Sequence, residues 1–487
     1  MATVVAAPTK LLTIDKLVTT ALAHDPRVDE ATLREAYAFA EEAHANQTRA
    51  TGEPYIQHPM RVAQTIASLR LGTTAIVAAL LHDVREDTAP HYYEQIGPRF
   101  GEAVNFLVEG VTRLSKVKKL RAGQGSVEDL RNIFLAMSRD IRVIIIKLAD
   151  RLHNLQTLYG LPSPKQHDVA LQTLDIYAPI ADRLGMGEIK GQLEDLAFEY
   201  LHPDTAAGLR ERVRGAYEER VRYCDEFQHE LQQELAAKGL RVLDIHGRAK
   251  RLYSLHLKLE RYHDDISQIY DLVAVRVVLP TLSDCYKALG IVHARWRPLV
   301  GKIKDYVATP KANGYQSIHT TVITGEGRFV EVQIRTADMH ALAERGVAAA
   351  WAYADAKRSS DQGGGLEAQV AGAAALASPH DVAWVQQLAT WQQEVDNPEE
   401  FFQTLRTDFF RNRIFCLTPA GEVVNLPEAA TPIDFAYAVH TMLGHRAVGA
   451  ASTARSGRST TTSPAVTWSR SCLTSGARAA PRVARLC

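Results

Sequence analysis

The sequence has few cysteines, no net charge and no long apolar run, and each absence excludes a class of protein. Its five cysteines are widely scattered, which excludes a zinc knuckle and favours free thiols in a reducing cytoplasm. Lys+Arg and Asp+Glu both number 56, so general attraction to nucleic acid is not indicated. No apolar run approaches the roughly 18 residues that span a bilayer, and the N-terminus lacks the layout of a secretory signal. We therefore expect a cytoplasmic protein with no membrane partner, and 487 residues leave room for roughly three domains.

Between Gly301 and Thr321 the sequence combines cationic and aromatic side chains with turn-forming residues. The Pro-x-x-Asn-Gly stretch at residues 310–314 predicts an ordered turn. Cations and one aromatic ring in such a loop suit a ligand that carries phosphates and a base that can stack. A basic surface loop is the alternative on this stretch alone. The candidate ligand contacts are Lys304, Lys311, Tyr315 and His319.

Residues 29–199 have the apolar spacing of amphipathic helices joined by short turns. His58 precedes Pro59, which suits the first position of a helix. The apolar run before His82 predicts a buried helix. If that helix continues, Glu86 lies four residues further along on the same face.

A third helix begins apolar at Ile144 and ends polar, with Asp150 and Asn154 on one face. Carboxylates at the ends of apolar helices are costly unless they are paired or bind a metal. The two imidazoles and two carboxylates of these helices form a mixed N/O set that suits Mn²⁺, Fe²⁺ or Zn²⁺. For His82-Asp83 alone, a helix end with a solvated pair is the alternative.

Two strands of a second domain follow a long polar helix at residues 205–238, which Gly239 ends. Residues 270–279 are apolar and β-branched, which predicts a central strand with Asp271 at its start. Residues 329–336 alternate strictly, so Glu331, Gln333 and Arg335 share the face opposite the core. The stretch from Gly301 to Thr321 is called the lysine loop. We interpret the polar row, beside Asp271 and this loop, as a cleft for a divalent cation and phosphates. Plain solvent exposure is the alternative.

The N-terminal helices resemble the HD family of metal-dependent phosphohydrolases, and more closely the hydrolase domain of RelA/SpoT homologues, the bifunctional (p)ppGpp synthetases/hydrolases. The matching motifs are RxxGEPYxxHP at 49–59, LLHDVREDT at 80–88 and KLADRLHN at 147–154. The resemblance implies that one Mn²⁺ is held by His58, His82, Asp83 and Asp150. It implies that Glu86 and Asp87 position and activate the attacking water, and that Arg49 and Asn154 contact the nucleotide. We interpret His153 as structural.

The second domain resembles the synthetase domain of the same family. The motifs are GRAKRLYSLHLK at 247–258, YDLVAVR at 270–276, KDYVATPKANGYQSIHT at 304–320 and VEVQIRT at 330–336. The resemblance implies transfer of pyrophosphate from ATP to the 3′-hydroxyl of GDP or GTP. It implies that the ATP phosphates are clamped by Arg248, Lys250, Lys258 and Arg276.

By the same resemblance, Asp271 holds Mg²⁺, and Glu331 shares that ion or draws the proton from the 3′-hydroxyl. Phosphates of either nucleotide meet Lys304, Lys311 and His319, and Tyr315 stacks on guanine.

Two positions depart from the family pattern, and they motivate alternatives. Leu257 stands where an arginine is usual, and Ala350 replaces a usual histidine. A hydrolase with a weak or silent synthetase half is therefore a second hypothesis, and a non-catalytic nucleotide-sensing or ribosome-associated module is a third. Ribosome contact is doubtful, because in the family it lies mainly in a C-terminal part that we expect to be missing here. Two opposed activities imply reciprocal control, which we expect across the connector near residues 177–199.

The expected fold is multidomain. An all-α HD-type hydrolase domain with its connector (1–200) precedes an α+β nucleotidyltransferase-like synthetase domain with a mixed sheet (201–357). A flexible linker (358–380) and a helical segment (381–410) lead to an incomplete β-grasp TGS domain (411–450). There, a hairpin at 413–427 and a helix from Thr431 are predicted.

The tail at residues 451–487 is expected to be disordered, because Ser, Thr, Arg and Ala dominate it and no helix or strand period is present. If residues 466–471 are encoded by GTG ACG TGG TCG AGA TCC, a preceding G and a one-base shift give Gly-Asp-Val-Val-Glu-Ile. We hypothesise a frameshift near residue 450. It would leave the TGS domain unfinished and remove the helical, zinc-finger and ACT-type parts expected beyond it.

Overall fold

The computed structural model describes nine stretches of the chain. They are residues 11–115, 139–269, 271–311, 313–325, 327–352, 413–417, 423–427, 430–452 and 468–473. These stretches belong to two compact units, Met1–Glu394 and Val395–Cys487. Among the helices in the described residues, none is long and apolar enough to cross a membrane.

Helices form the first part of the larger unit. They are α1 (Ile14–His24), α2 (Glu30–Ala43), α3 (Gln57–Ser68), α4 (Gly72–Leu81), α5 (Val84–Asp87), α6 (Pro90–Glu94), α7 (Ile96–Phe100), α8 (Glu102–Ser115) and α9 (Ile141–Gln156). The side chains of Thr13 and Asp29 accept hydrogen bonds from the first turns of α1 and α2, as N-caps do. Helix α4 is buried from Ala75 to Leu81 and packs against α2, α3 and α8, so it is the centre of this helical domain.

Helix α4 does not continue past His82, so the condition under which Glu86 would share a helical face with His82 is not met. The helix ends at Leu81, and α5 begins separately at Val84. The carbonyl of Asp83 accepts from the backbone N–H groups of Glu86 and Asp87, so Asp83 starts the new turn. The break directs His82 and Asp83 to the same site. Helix α3 also begins two residues before the expected Pro59.

A helical connector links the two halves of this unit. It comprises a 3₁₀ turn (Leu158–Gly160), α10 (Ser163–Gln172), a π-helical turn (Thr173–Tyr177), α11 (Ala178–Arg183), α12 (Gly187–Leu201) and α13 (Pro203–Ala237). Helix α13 confirms the predicted long polar helix. Gly239 follows it with φ +76°, the left-handed conformation that ends many helices.

A mixed sheet forms the second half of the unit. Its strands and helices are β1 (Asp244–Ala249), α14 (Leu252–Arg261), a 3₁₀ turn (Ile266–Gln268), β2 (Val273–Leu279), α15 (Leu282–Arg295), β3 (Arg297–Pro298), β4 (Lys304–Asp305), β5 (Ile318–Ile323), β6 (Phe329–Thr336) and α16 (Ala337–Arg345). The strand order is β1-β2-β6-β5-β3, with β4 also paired to β5. Strands β2 and β6 are parallel, and the other pairs are antiparallel. One face of the sheet is apolar and packs on α13 and α15.

The smaller unit contains β7 (Arg413–Leu417), β8 (Val423–Pro427), α17 (Pro432–Val439), α18 (Thr441–Arg446), β9 (Ala447–Ser452) and β10 (Trp468–Leu473). Strands β7 and β8 pair antiparallel, as predicted, and Thr431 caps α17 through a capping box. Strand β10 pairs with β9, so the expectation of no strand in the tail is wrong for these six residues. Strand β10 forms through its pairing with β9, and the alternation of its residues does not predict a strand. The predicted turn, linker and helical segment (418–422, 358–380 and 381–410) lie outside the described residues.

Candidate active sites

Three helices bring a metal-type cluster together in the helical domain. His58 of α3, His82 at the end of α4 and Asp150 of α9 each offer one ligand atom, and these atoms lie within 4.8 Å of one another. Asp83 completes the predicted set, because its oxygens lie 3.3 Å from His58 Nε2 and 3.2 Å from His82 Nε2. The residues therefore fit a bound metal ion.

Hydrogen bonding fixes the ring of His82. Its Nδ1 donates to the carbonyl of Ala79 at 2.8 Å, so Nε2 faces Asp83 and, at 3.9 Å, Asp150. Burial alone would lower the pKa of His82, but Asp83 and Asp150 raise it to about 9. The same two carboxylates would favour a metal cation at this position.

His153 orients His58. Its Nδ1 lies 2.7 Å from His58 Nδ1. Burial and the charges of His58 and Arg49 lower the pKa of His153 to about 2, so His153 is neutral and its Nδ1 accepts a hydrogen bond from the Nδ1–H of His58. The lone pair of His58 Nε2 then faces Asp150, at 3.2 Å. The sequence interpretation treated His153 as structural. Its position three residues after Asp150, on the same face of α9, was the signal that it lies near the cluster.

Asp150 has two partners on its own helix. Lys147 Nζ donates to Oδ2 at 2.7 Å, and Asn154 Nδ2 donates to Oδ1 at 2.5 Å. Burial would raise the pKa of Asp150, but Lys147 and the two histidines hold it well below its usual range. Arg49 Nη2 donates to Asn154 Oδ1 at 2.8 Å and to Thr157 at 3.1 Å. The two predicted nucleotide contacts thus lie together beside a predicted metal ligand.

Tyr55 links Asp83 to the predicted water-positioning residues. Its hydroxyl oxygen lies 2.9 Å from Asp83 Oδ2 and 2.5 Å from Asp87 Oδ2, so its one proton can be donated to either carboxylate. Gln47 holds the backbone of Asp87 with a 2.7 Å hydrogen bond to its carbonyl oxygen. Glu86 lies on the same short helix, α5. Tyr55 belongs to the motif at residues 49–59, but the sequence alone gave it no role.

The second site lies on the polar face of the mixed sheet. Cross-strand neighbours share a face, and the register therefore aligns two polar rows. One row is His246, Arg276, Gln333, His319 and Lys304. The adjoining row is Arg248, Ala274, Glu331 and Thr321. The sheet thus places five of the predicted contacts on one surface, namely Arg248, Arg276, Lys304, His319 and Glu331. The predicted core-facing side of β6 is confirmed, because Val330, Val332 and Ile334 are fully buried.

Asp271 lies at the edge of this face, two residues before β2. Lys250 Nζ and Lys258 Nζ donate to its Oδ2 at 2.8 and 2.6 Å. Burial would raise the pKa of Asp271, but the two lysines lower it to about 2. Its other oxygen, Oδ1, is buried and has no hydrogen-bond partner among the described residues. An ionised carboxylate with one spare oxygen fits a divalent cation.

The lysine loop adjoins Glu331. Backbone N–H of Gly314 donates to Lys311 O at 2.9 Å, which confirms the predicted turn. Lys311 Nζ lies 4.9 Å from the ring centre of Tyr315, whose hydroxyl is 2.8 Å from His319 Nε2. His319 Nδ1 lies 3.2 Å from Glu331 Oε1. Burial would raise the pKa of Glu331, but His319 keeps it below its usual value.

Three family descriptions match the chain in order. "HD domain" matches residues 36–187, "Region found in RelA / SpoT proteins" matches residues 247–358, and "TGS domain" matches residues 414–454. The fold and the two sites therefore define a protein with an HD-type domain, an α+β RelA/SpoT-type domain and a TGS domain. Regions of the chain thus match the HD, RelA/SpoT and TGS family descriptions in that order.

Curated relatives align with most of this chain. The GTP pyrophosphokinase of Streptomyces antibioticus is 44% identical over 442 residues, which are 90% of this chain and 52% of that protein. The bifunctional (p)ppGpp synthase/hydrolase RelA of Mycobacterium tuberculosis is 44% identical over 425 residues, 87% of this chain and 56% of that protein. The bifunctional (p)ppGpp synthase/hydrolase SpoT of Escherichia coli K12 is 43% identical over 418 residues, 86% of this chain and 57% of that protein. The chain thus spans about half the length of the curated relatives it matches.

Among solved structures, the small alarmone synthetase 1 of Bacillus subtilis bound to pppGpp is 20% identical. The match covers 38% of this chain and 98% of that chain, with a TM-score of 0.24. A likeness at this TM-score supports no inference about this chain.

Proposed function

We propose that this chain is a bifunctional enzyme of (p)ppGpp metabolism that acts in the cytoplasm in the stringent response. It transfers pyrophosphate from ATP to the 3′-hydroxyl of GDP or GTP, and it hydrolyses (p)ppGpp to GDP or GTP and pyrophosphate. The observation that carries the proposal is the presence of two separate sites in one chain. One is the buried His58, His82 and Asp150 cluster, and the other is the polar sheet face with Asp271 and Glu331. The names of the relatives support both reactions.

In the hydrolase reaction, His58, His82, Asp83 and Asp150 would hold Mn²⁺. The ion would polarise a phosphate oxygen and acidify the attacking water. Asp87, held by Tyr55, takes the proton of that water, and Glu86 orients it. Arg49 and Asn154 bind the nucleotide beside Asp150, which keeps the 3′-phosphate within reach of the water.

In the synthetase reaction, Asp271 and Glu331 would hold Mg²⁺, which would neutralise charge on the donor phosphates. Lys250 and Lys258 release Asp271 and bind the phosphates of ATP instead. Arg248 and Arg276, on the neighbouring strands of the sheet, bind the same phosphates. Glu331, which accepts from His319, draws the proton from the 3′-hydroxyl. Lys304, Lys311 and His319 bind phosphates, and Tyr315 stacks on guanine. Catalysis then consists of positioning and charge neutralisation.

Paired assays on the purified chain test the proposal. One assay contains labelled ATP, GDP or GTP, and Mg²⁺; the other contains 3′-labelled ppGpp and Mn²⁺. We expect turnover in both. His82→Ala abolishes only hydrolysis, and Asp271→Ala abolishes only synthesis. Absence of turnover in both assays would contradict both halves of the proposal.

A hydrolase with a silent synthetase half is the second candidate. The observation that favours it is Leu257, which is 39% exposed on α14 at the position where the family has an arginine. Turnover with Mn²⁺ but not with ATP and Mg²⁺ would select this candidate. In that case, Leu257→Arg should restore synthesis. Any turnover of ppGpp removes the third hypothesis of a non-catalytic nucleotide-sensing or ribosome-associated module.

A further inference from the structure

A cluster of three charged side chains, two of them buried arginines, lies on the polar face of the sheet. It consists of two arginines on neighbouring parallel strands, Arg276 and Arg335, and of Glu344 on α16. Glu344 Oε1 accepts from Arg276 Nη1 at 2.9 Å and from Arg335 Nη2 at 3.3 Å. Arg335 is fully buried, and Arg276 is 4% exposed. Two buried guanidinium groups therefore share one oxygen of a carboxylate whose side chain is 27% exposed.

Buried charges are costly unless they are paired and hydrogen-bonded. Within the described residues, Glu344 is the only carboxylate that forms an ion pair with either arginine. Two nitrogens of Arg276 (Nε and Nη2) and two of Arg335 (Nε and Nη1) are buried with no hydrogen-bond partner in the described part of the chain. Glu344 is thus the charged partner of both guanidinium groups, and Arg276 Nη1 has one further contact, at 3.4 Å, with His246 Nε2.

Backbone contacts position the helix that carries Glu344. Gly346 follows α16 with φ +57°, and a Cβ atom there would lie 2.1 Å from the carbonyl oxygen of Leu184 in the connector. The backbone N–H of Val347 donates to the same oxygen at 2.9 Å. This close contact holds the end of α16, the helix that carries Glu344, against the connector.

Arg276 and Arg335 differ in what they can reach. Arg276 lies in the middle of its polar row, between His246 and Gln333, and next to the row that contains the exposed Arg248. Its position suits contact with a nucleotide on this face. Arg335 is fully buried, so it can act only through its neighbours.

We propose that Glu344 is a positioning residue for pyrophosphate transfer. Its carboxylate orients the guanidinium of Arg276 for contact with ATP, and Arg335 orients the carboxylate of Glu344 by donating to the same oxygen. The inference rests on the proposed function, because it requires that this face of the sheet binds ATP. Sequence reasoning placed Arg335 on the polar face of β6 but gave neither Arg335 nor Glu344 a role. Their contact joins a strand and a helix, and no motif spacing announces it.

Glu344→Gln tests the proposal because it keeps the size of the side chain and one acceptor oxygen but removes the charge. The Km for ATP and the Kd of a non-hydrolysable ATP analogue should both rise about tenfold to a hundredfold, as expected for the loss of a hydrogen bond between charged groups. The kcat of synthesis, the Km for GDP and the hydrolysis of ppGpp should change little. The matched control is Glu230→Gln, which removes a half-exposed carboxylate that also accepts from an arginine, Arg295, at 2.6 Å. It should leave ATP affinity unchanged.

A double variant, Glu344→Gln with Arg335→Gln, keeps the net buried charge constant and serves if the single variant does not fold. It should also weaken ATP binding, because Arg276 still loses its anchor. Wild-type affinity for ATP in either folded variant would overturn the proposal. Unfolding of both variants would also overturn it, because the cluster would then serve stability alone. If the wild-type chain forms no AMP from ATP and GDP, the proposed synthetase function itself fails.

Discussion

At the scale of single residues, the metal-type cluster depends on partners that are distant in the sequence. His58 and His153 are 95 residues apart, and Tyr55 meets Asp87 across 32 residues. The motifs pointed to the residues that come together in this cluster, because each motif is local to one helix end. They did not predict Tyr55 or His153 as supports, because those contacts arise only when α3, α5 and α9 pack together.

The first prediction concerns His153. Replacing it with leucine removes the acceptor that orients His58 Nδ1. We expect the affinity for Mn²⁺ to fall about tenfold to a hundredfold, the usual effect of losing such a support. Calorimetric titration of the metal-free chain with Mn²⁺ measures it. His167→Leu, at an exposed position on α10, is the control. Equal Mn²⁺ affinity in both variants would contradict the orienting role.

The second prediction concerns Tyr55. The Tyr55→Phe variant removes the proton that the hydroxyl shares with Asp83 and Asp87. At saturating Mn²⁺, kcat for ppGpp hydrolysis should fall about tenfold to a hundredfold, because Asp87 loses its orientation. Synthesis should be unaffected. Tyr37→Phe is matched, since Tyr37 also donates to a carboxylate, Glu41, at 2.5 Å, but away from the site. A kcat for Tyr55→Phe equal to that of Tyr37→Phe would remove Tyr55 from the mechanism.

The third prediction concerns the pH dependence of stability at Asp271. Its pKa is lowered from 3.8 to about 2, so the carboxylate stabilises the fold above pH ~4 and this contribution is lost as the pH falls towards 2. Asp271→Asn should cost about 2 kcal/mol at pH 7, and the difference from wild type should shrink below pH ~4. Hydrogen exchange of β2 in increasing urea measures both. A difference that stays constant from pH 7 to pH 3 would contradict the ion pairing.

At the scale of elements, local patterns predicted most strands and helices but not where elements break or touch. The strict alternation of β6 and the apolar run of β2 announced both strands. The sequence left open whether α4 continues past His82, because His82 and Asp83 keep helical backbone angles (φ −62° and −93°) and nothing local opposes a longer helix. The parallel pairing of β2 and β6, which aligns Arg276 with Gln333, also has no signal in either strand alone.

The contact between α16 and the connector gives the fourth prediction. Gly346→Ala places a methyl group 2.1 Å from Leu184 O at φ +57°, so we expect a loss of about 1–3 kcal/mol in the free energy of unfolding. Gly208→Ala is the control, because it lies within α13 with no atom within 4 Å of the added Cβ. It should be neutral or stabilising. Denaturant unfolding of both variants measures the free energy of unfolding. Equal stability of the two variants would contradict the prediction, because the backbone near Leu184 would then accommodate the methyl group without loss of stability.

At the scale of the whole molecule, the chain has no net charge, but ionisable side chains cluster at both candidate sites. The connector contacts both halves of the larger unit. Arg151 of α9 lies 4.1 Å from the ring centre of Tyr177, and Asn313 of the lysine loop donates to the carbonyl of Asp182 at 3.2 Å. Reciprocal control across residues 177–199 stays a prediction, and these contacts are where a change of state would pass. The order of the domains was readable from the motifs, but these contacts were not.

The central claim is that one chain carries two opposed reactions at separate sites. The most direct test follows one tube that contains the chain, ATP, GDP, Mg²⁺ and Mn²⁺ by ³¹P NMR. We predict steady release of AMP and pyrophosphate with little (p)ppGpp in the wild type, accumulation of (p)ppGpp in His82→Ala, and no AMP in Asp271→Ala. Loss of AMP release in His82→Ala, or failure of Asp271→Ala to hydrolyse added (p)ppGpp, would contradict separate sites. AMP without any 3′-diphosphate in His82→Ala would contradict the synthetase reaction.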